Sequence, residues 1–374
     1  MTSPLRTSGF RAAVLTLALV AVASAQQAPA SFDSLAAAAA DARDQNNLPR
    51  AVALYRQALA LEPSWPDGWW YLGLLGYSAN DYASARDALT HYLQLMPSAG
   101  PAFALRGLCE FETADYTPSL ADIERSISLG AANDPRNQQI LRFHEALLLA
   151  HASRFEEALS IYQLLARTAP PNPELLTAIG LAGLRNAALP NEASSSQQEI
   201  AVAAGQGAWP FIAGDRDGAA KAFAYFFTRF PTASNAHYFY AYLLFVHDPE
   251  AAVQQLDQEL GLDADNVPAL TLMAWSDILG NNSAAALPFA RRAERLDSSL
   301  FMTQLVLGRS LVGTGDLGDG LNHLQQALQI QPNNVEAHIG LAIGYSKSGD
   351  RDLAHAERLK CLAMTKQDSV FGQQ

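Results

Sequence analysis

Cysteine is nearly absent from this chain: Cys109 and Cys361 are the only two in 374 residues. At most one disulfide is therefore available, even in an oxidising compartment. Charge is scarce as well, at 17% of residues against roughly 25% in an average chain. Basic side chains are the rarer sign, 25 against 37 acidic, for a formal net charge of −12. Nucleic-acid binding demands a basic footprint, so the balance argues against that class. Beyond the first 25 residues no apolar run is long enough to cross a bilayer, which takes roughly 18 or more residues. Small and apolar residues fill the difference, and hydrophobic residues reach 49%. Close packing of helices needs such a composition.

Residues 1–25 have the order of an export signal. Arg6 and Arg11 give a short positive region, residues 12–22 are apolar, and Ala23-Ser24-Ala25 supplies small residues before a cut at Gln26. No Cys follows the small residues, so a lipid anchor at the new N-terminus is not indicated. Cleavage would leave 23 basic against 37 acidic residues, a net charge of −14. The expected location is exported: periplasmic in a two-membrane bacterium, or secreted.

The body of the chain repeats. Residues 69–97 read WWYLGLLGYSANDYASARDALTHYLQLMP. Two helical patterns meet at the polar turn Ser78-Ala79-Asn80-Asp81, and a proline closes the second. Trp69, Leu72 and Gly73 mark the first pattern, and Ala85, Leu89, Tyr92 and Pro97 the second. One unit earlier, Ala51, Tyr55, Ala58 and Pro63 hold the same slots, a spacing of 34 residues. In phase with them lie units at 32–65, 66–99, 100–138, 139–172, 234–266, 267–300, 301–334 and 335–368. Gly107, Gly308 and Pro332 recur in the expected places. Where two helices cross closely a longer side chain would push them apart, so the slot takes Gly or Ala.

Between 173 and 233 the pattern breaks. A first helix is followed by the turn-rich stretch 189–196 and a helix weakened by Gly205, Gly207 and Pro210. A second helix then closes at Pro231, which makes three helices rather than two or four. The expected organisation is a signal at 1–25, an array at 32–185, an irregular linker at 186–199, a second array at 200–368 and a tail at 369–374.

A helix–turn–helix period of this length with Trp, Gly, Ala, aromatic and closing Pro slots resembles the tetratricopeptide repeat. The resemblance covers nearly all of 32–368 and is weakest at 186–213. It implies an all-α, right-handed superhelical solenoid of about eight to nine helix pairs, irregular near 186–213. In a linear array units six apart do not meet, so Cys109 and Cys361 are expected as buried, unbridged thiols.

Motifs for chemistry fail on context. Gly313-Thr-Gly315-Asp-Leu-Gly318 spells a dinucleotide fingerprint, but a helix rather than a strand precedes it. His144 and His151 are seven apart, whereas a zinc-protease helix needs four. Gly308-Arg-Ser310-Leu-Val312 lacks the final Gly of a nucleophile elbow. Asp215-Arg-Asp217-Gly218 is too short for a calcium loop. Asn281-Asn282-Ser283 fits a glycan acceptor on three residues alone. No cofactor, metal or catalytic residue is expected.

Two functions remain. One is a non-enzymatic scaffold that binds an exported protein or peptide. The other is an enzyme or accessory subunit with a site at 186–213. In the family this chain resembles, the first helix of each pair lines a concave groove, and ligands touch its positions two, five, nine and twelve. Those positions here hold Trp70, Tyr77, Phe111, Phe143, Asn235, Tyr238, Tyr242, Phe245, Trp275 and Arg309. Aromatics there suit binding hot spots. The Lys and Asn set that clamps a peptide carboxylate in some family members is not evident. An apolar segment is expected across Tyr238, Tyr242 and Phe245. The partner's identity and the oligomeric state are left open.

Overall fold

A computed structural model describes residues 31–168 and 170–371. The expected export signal and the end of the expected tail lie outside the described residues. Among the described residues there are nineteen α-helices, a 3-10 turn at Ala131–Asn133 and no strand. By contacts the chain divides into two compact units, 1–97 and 98–374.

The first unit holds α1 (Phe32–Asp44), α2 (Leu48–Leu61), α3 (Pro66–Ser78) and α4 (Tyr82–Leu95). The second begins with α5 (Gly100–Glu112), α6 (Tyr116–Ser128), α7 (Pro135–His151) and α8 (Phe155–Leu165). Then come α9 (Pro173–Gly183), α10 (Ser195–Ile212) and α11 (Arg216–Arg229). Four more pairs follow: α12 (Ala236–Leu244) with α13 (Pro249–Leu262), α14 (Val267–Leu279) with α15 (Ser283–Leu296), α16 (Phe301–Thr314) with α17 (Leu317–Ile330), and α18 (Val335–Ser348) with α19 (Arg351–Phe371).

One turn builds nearly every pair. One or two residues past the first helix the backbone enters the left-handed region, at Asn46, Asn80, Ala114, Ser153, Asn281, Gly315 and Gly349. The next N–H bonds back five residues, as in Asn47 to Ala42, Asp81 to Gly76 and Asp350 to Tyr345. That pattern satisfies carbonyls the helix end leaves open. The same residue then becomes the N-cap of the second helix. Asn47, Asp81 and Asn282 accept from the N–H groups of Arg50, Ser84 and Ala285. The pair α12–α13 departs: His247 and Asp248 both donate to the Leu244 carbonyl.

The glycine slot works as the spacing requires. A Cβ on Gly73 would lie 2.7 Å from Leu89, on Gly107 2.9 Å from Ile123 and on Gly308 2.7 Å from Leu324. Ala85 is fully buried beneath Gly76, while Pro97 and Pro332 are exposed at the turns that end their units. Trp69 is half-buried, donates from its indole N–H to the Pro63 carbonyl at 2.8 Å, and stacks on His91.

Residues 173–233 form three helices, as expected, and the structure gives the reason. Both α9 and α10 end in the left-handed turn of a first helix, at Arg185 and Gly214, with back-bonds from Asn186 to Leu181 and from Asp215 to Pro210. No second helix follows Arg185; residues 184–194 are irregular instead. Helix α10 packs against α9 and also against α11, so it serves as second helix to one and first helix to the other. The irregular stretch is shorter than 186–199, because α10 already begins at Ser195 with a capping box from Ser194 and Gln197. Gly205, expected only to weaken α10, also has a packing role. A Cβ there would collide with the Leu176 carbonyl, and one on Gly180 with the Ala201 carbonyl. The two glycines let the backbones of α9 and α10 touch. Pro210 acts near the end it was expected to set, since α10 stops at Ile212.

Candidate functional site

Helix α12 is held from below. Glu259 of α13 is fully buried and accepts from the N–H groups of Asn235, His237 and Tyr238 at 2.8, 3.0 and 3.1 Å, and from the Asn266 amide at 3.2 Å. A carboxylate at a helix N-terminus meets the free N–H groups and the positive end of the dipole. Asn235 completes this cap from the left-handed region, at φ 61°, bonding the Leu184 carbonyl and accepting from Asn266. Asn235, expected as a groove contact, is thus tied into the fold by its side chain.

So anchored, α12 presents Tyr238 and Tyr242, four residues apart on one face. Both line a cleft of about 530 Å³. Glu156, Glu157 and Ser160 of α8 form one wall, and Pro268, Thr271 and Leu272 of α14 another. Leu300, Phe301 and Met302 at the start of α16, with Ile330 and Gln331 after α17, close it. Arg185 enters from the turn after α9. A mostly apolar concavity with a few convergent polar groups is the usual form of a binding site.

At the base of the cleft the Tyr238 hydroxyl donates to Glu156 Oε1 at 2.9 Å, and Arg185 pairs with the same carboxylate. The Arg185 guanidinium lies 4.9 Å from the Phe155 ring centroid and 5.6 Å from that of Tyr238. Burial, with the Glu156 charge second, pushes the phenols of Tyr238 and Tyr242 up. Both stay neutral at physiological pH, as a hydrogen-bonding and apolar floor. Arg154 bonds Glu157 through two nitrogens, at 2.8 and 2.7 Å, and reaches Glu124 at 3.2 Å.

The other expected contacts do not join this cleft. Phe245 packs on the core cluster of Leu244, Leu256 and Met273. It does not line the cleft with the two tyrosines. Trp275 and Arg309 meet each other, with the guanidinium 5.3 Å from the ring and paired to Glu336 at 3.0 Å. Phe111 and Phe143 both pack on His144, and Phe143 lines a smaller recess of about 230 Å³ with Ile140 and Leu165. In the first compact unit Trp70 lies against Tyr92 and Tyr77 against Tyr82.

The irregular stretch spends its polar groups on holding itself in place. His151 bonds the Ala187 carbonyl, Tyr116 bonds Glu192, and Gln198 donates to the carbonyls of Pro190 and Ala193. Among the described residues no group of three or more His, Cys, Asp or Glu side chains is placed to hold a metal. Cys109 and Cys361 are both unbridged; Cys109 is fully buried, but Cys361 is only half-buried, not a core thiol. Sequence reasoning missed Glu156 and Arg185, because counting slots on first helices passes over a second helix and a turn. The signal was Arg185 itself, a long side chain where the repeat places the left-handed residue.

Residues 36–101 match the tetratricopeptide repeat family. No curated protein matches the chain. Similar solved structures include MamA protein, at 18% identity and a TM-score of 0.38, covering 46% of this chain and 94% of that one. The Cut9–Hcn1 hetero-tetramer of APC/C is similar at 17% identity and 0.39, covering 88% and 66%. Naa15/Naa10 bound to HypK-THB is similar at 15% and 0.33, covering 91% and 60%. The family match is confined to residues 36–101, and the same left-handed turn with its back-bond recurs in helix pairs outside it.

Proposed function

We propose that the protein is a non-enzymatic interaction scaffold that holds a segment of a partner protein, itself exported, in the cleft floored by Tyr238 and Tyr242. The observation that carries this is the cleft: an apolar concavity in a stack of helix pairs, with two aromatic rings on its floor. Aromatic anchors in a desolvated pocket are where binding energy concentrates. The polar groups of 184–198 are engaged in holding the backbone, so no observation favours an enzyme there.

Tyr242 is the residue to change, since it is half-buried and Tyr238 carries a structural hydrogen bond. Peptides selected on the intact protein from a displayed random library should bind Tyr242→Ala more weakly by about 2 kcal/mol or more. The helical circular dichroism signal should not change. Equal affinity for the folded variant would remove this cleft as the site.

A further inference from the structure

The outer groove of the α18–α19 pair repeats, residue for residue, a groove that is filled one pair earlier. Ile339, Ala342 and Ile343 of α18, with Arg358, Cys361 and Leu362 of α19, line an open recess of about 390 Å³. Moved back by one period of 34 residues, these become Leu305, Gly308, Arg309, Leu324, Ala327 and Leu328 of α16 and α17. There α18 packs over them, and Leu305, Leu324 and Ala327 are at most 2% exposed. In the later groove Ile343 and Leu362 are 39% and 57% exposed. The outer face of an end pair in a stack is usually polar. This one keeps the apolar seat of another first helix.

Helix α18 shows what such a helix presents to its seat. A Cβ on Gly340 would lie 2.7 Å from both Arg309 and Leu324, and one on Gly344 2.7 Å from Leu321. With Ala337, which joins the same core cluster, these positions face the preceding pair. In α1 the same repeat positions hold Ser34, Ala37 and Asp41, and all three are exposed. We propose that the groove of α18 and α19 takes α1 of a second copy. Ala37 then meets Ile343 and Arg358, the counterparts of Arg309 and Leu324, and their long side chains can yield to its methyl group. Asp41 falls beside His355, the counterpart of Leu321, within reach of Arg358. Arg358 is the one charged residue lining the groove, and its recorded bond among the described residues runs to Ser346 at 3.5 Å. The exposed stripe of α1 adds Asp33, while Arg43 is turned to Tyr55, Tyr71 and Asp44. An acidic stripe thus meets a groove whose only charge is basic. A second copy is favoured over an unrelated helix because α1 carries the register, the small residues and the charge together. The two faces differ, so copies join head to tail in chains or closed rings.

Sedimentation of the intact protein over a rising concentration series tests this. The mean mass should climb with concentration, and raised salt should lower it. Asp41→Arg and Arg358→Asp should each weaken association about tenfold or more. The variant with both changes should regain it, because the pair is restored with its signs exchanged. Both residues are exposed, so each variant should keep the melting curve of the parent. Peptides selected on the cleft should bind all three variants equally, which keeps this contact separate from the scaffold reading. A protein that stays monomeric at every concentration would overturn the proposal. So would association that ignores both reversals, or a double variant as weak as either single one.

Discussion

Three residues carry the left-handed turn without being Gly or Asn: Ala114, Ser153 and Arg185. That conformation costs an ordinary side chain about 1–2 kcal/mol. Part of the cost returns as lower freedom in the unfolded chain, about 0.4–1 kcal/mol. Ala114→Gly should therefore stabilise by about 0.5–1 kcal/mol, read as a higher urea midpoint at constant slope. A second residue-scale effect sits in the last pair. His338 occupies the usual Trp slot, is buried, and meets Glu357 through one ring nitrogen and the Pro332 carbonyl through the other. Burial pushes the Glu357 carboxyl up, but the hydrogen bonds from Lys360 and His338 outweigh it and hold the group below its ordinary range. A depressed acid stabilises the fold above its unfolded range, and the contribution is lost as pH falls through the folded value. Melting temperature should fall as pH drops below about 4.5. In Glu357→Gln that part of the fall should be shallower.

At the scale of elements, the period of the chain made the pairs legible before any coordinate. Gly73, Gly107 and Gly308 each sit where a neighbouring helix leaves no room. The packing role of Gly205 was hidden because a glycine inside a helix looks the same in sequence whether it relaxes the helix or admits another backbone. What decides is the partner, here Leu176, and no local pattern names it. The bonds of Asn235 were hidden from the sequence for a similar reason. Its slot belongs to the groove in a regular repeat, but the irregular stretch before α12 and the carboxylate of Glu259 turn it inward. Tyr238 and Tyr242 were legible because their spacing alone fixes a shared face. If α9 and α10 meet through Gly180 and Gly205, Gly180→Ala should destabilise by about 1–3 kcal/mol or more. Amides of α9 and α10 should lose hydrogen-exchange protection before those of α16. Unchanged protection in both helices would show that the junction tolerates a Cβ.

At the scale of the molecule, stability in a stack of pairs passes from neighbour to neighbour. Within 98–374, Gly308→Leu should overpack α16 against α17, where Leu324 and the Gly320 carbonyl leave no space. Exchange protection should drop over 267–368, while α7 and α8 keep theirs. Uniform loss from α7 to α19 would mean that the unit behaves as one cooperative block instead.

The cleft has one property that its neighbours in the stack lack. Its walls are far apart along the chain, with Ser153 at one side and Gln331 at the other. Nearly everything else in the array joins residues close in sequence, and such contacts form early and cheaply during folding. A surface assembled from both ends of a long segment exists only after every helix between them is in place. Whatever binds there inspects the finished article: a chain stalled or cut between α8 and α17 keeps most of its helices and presents no cleft at all.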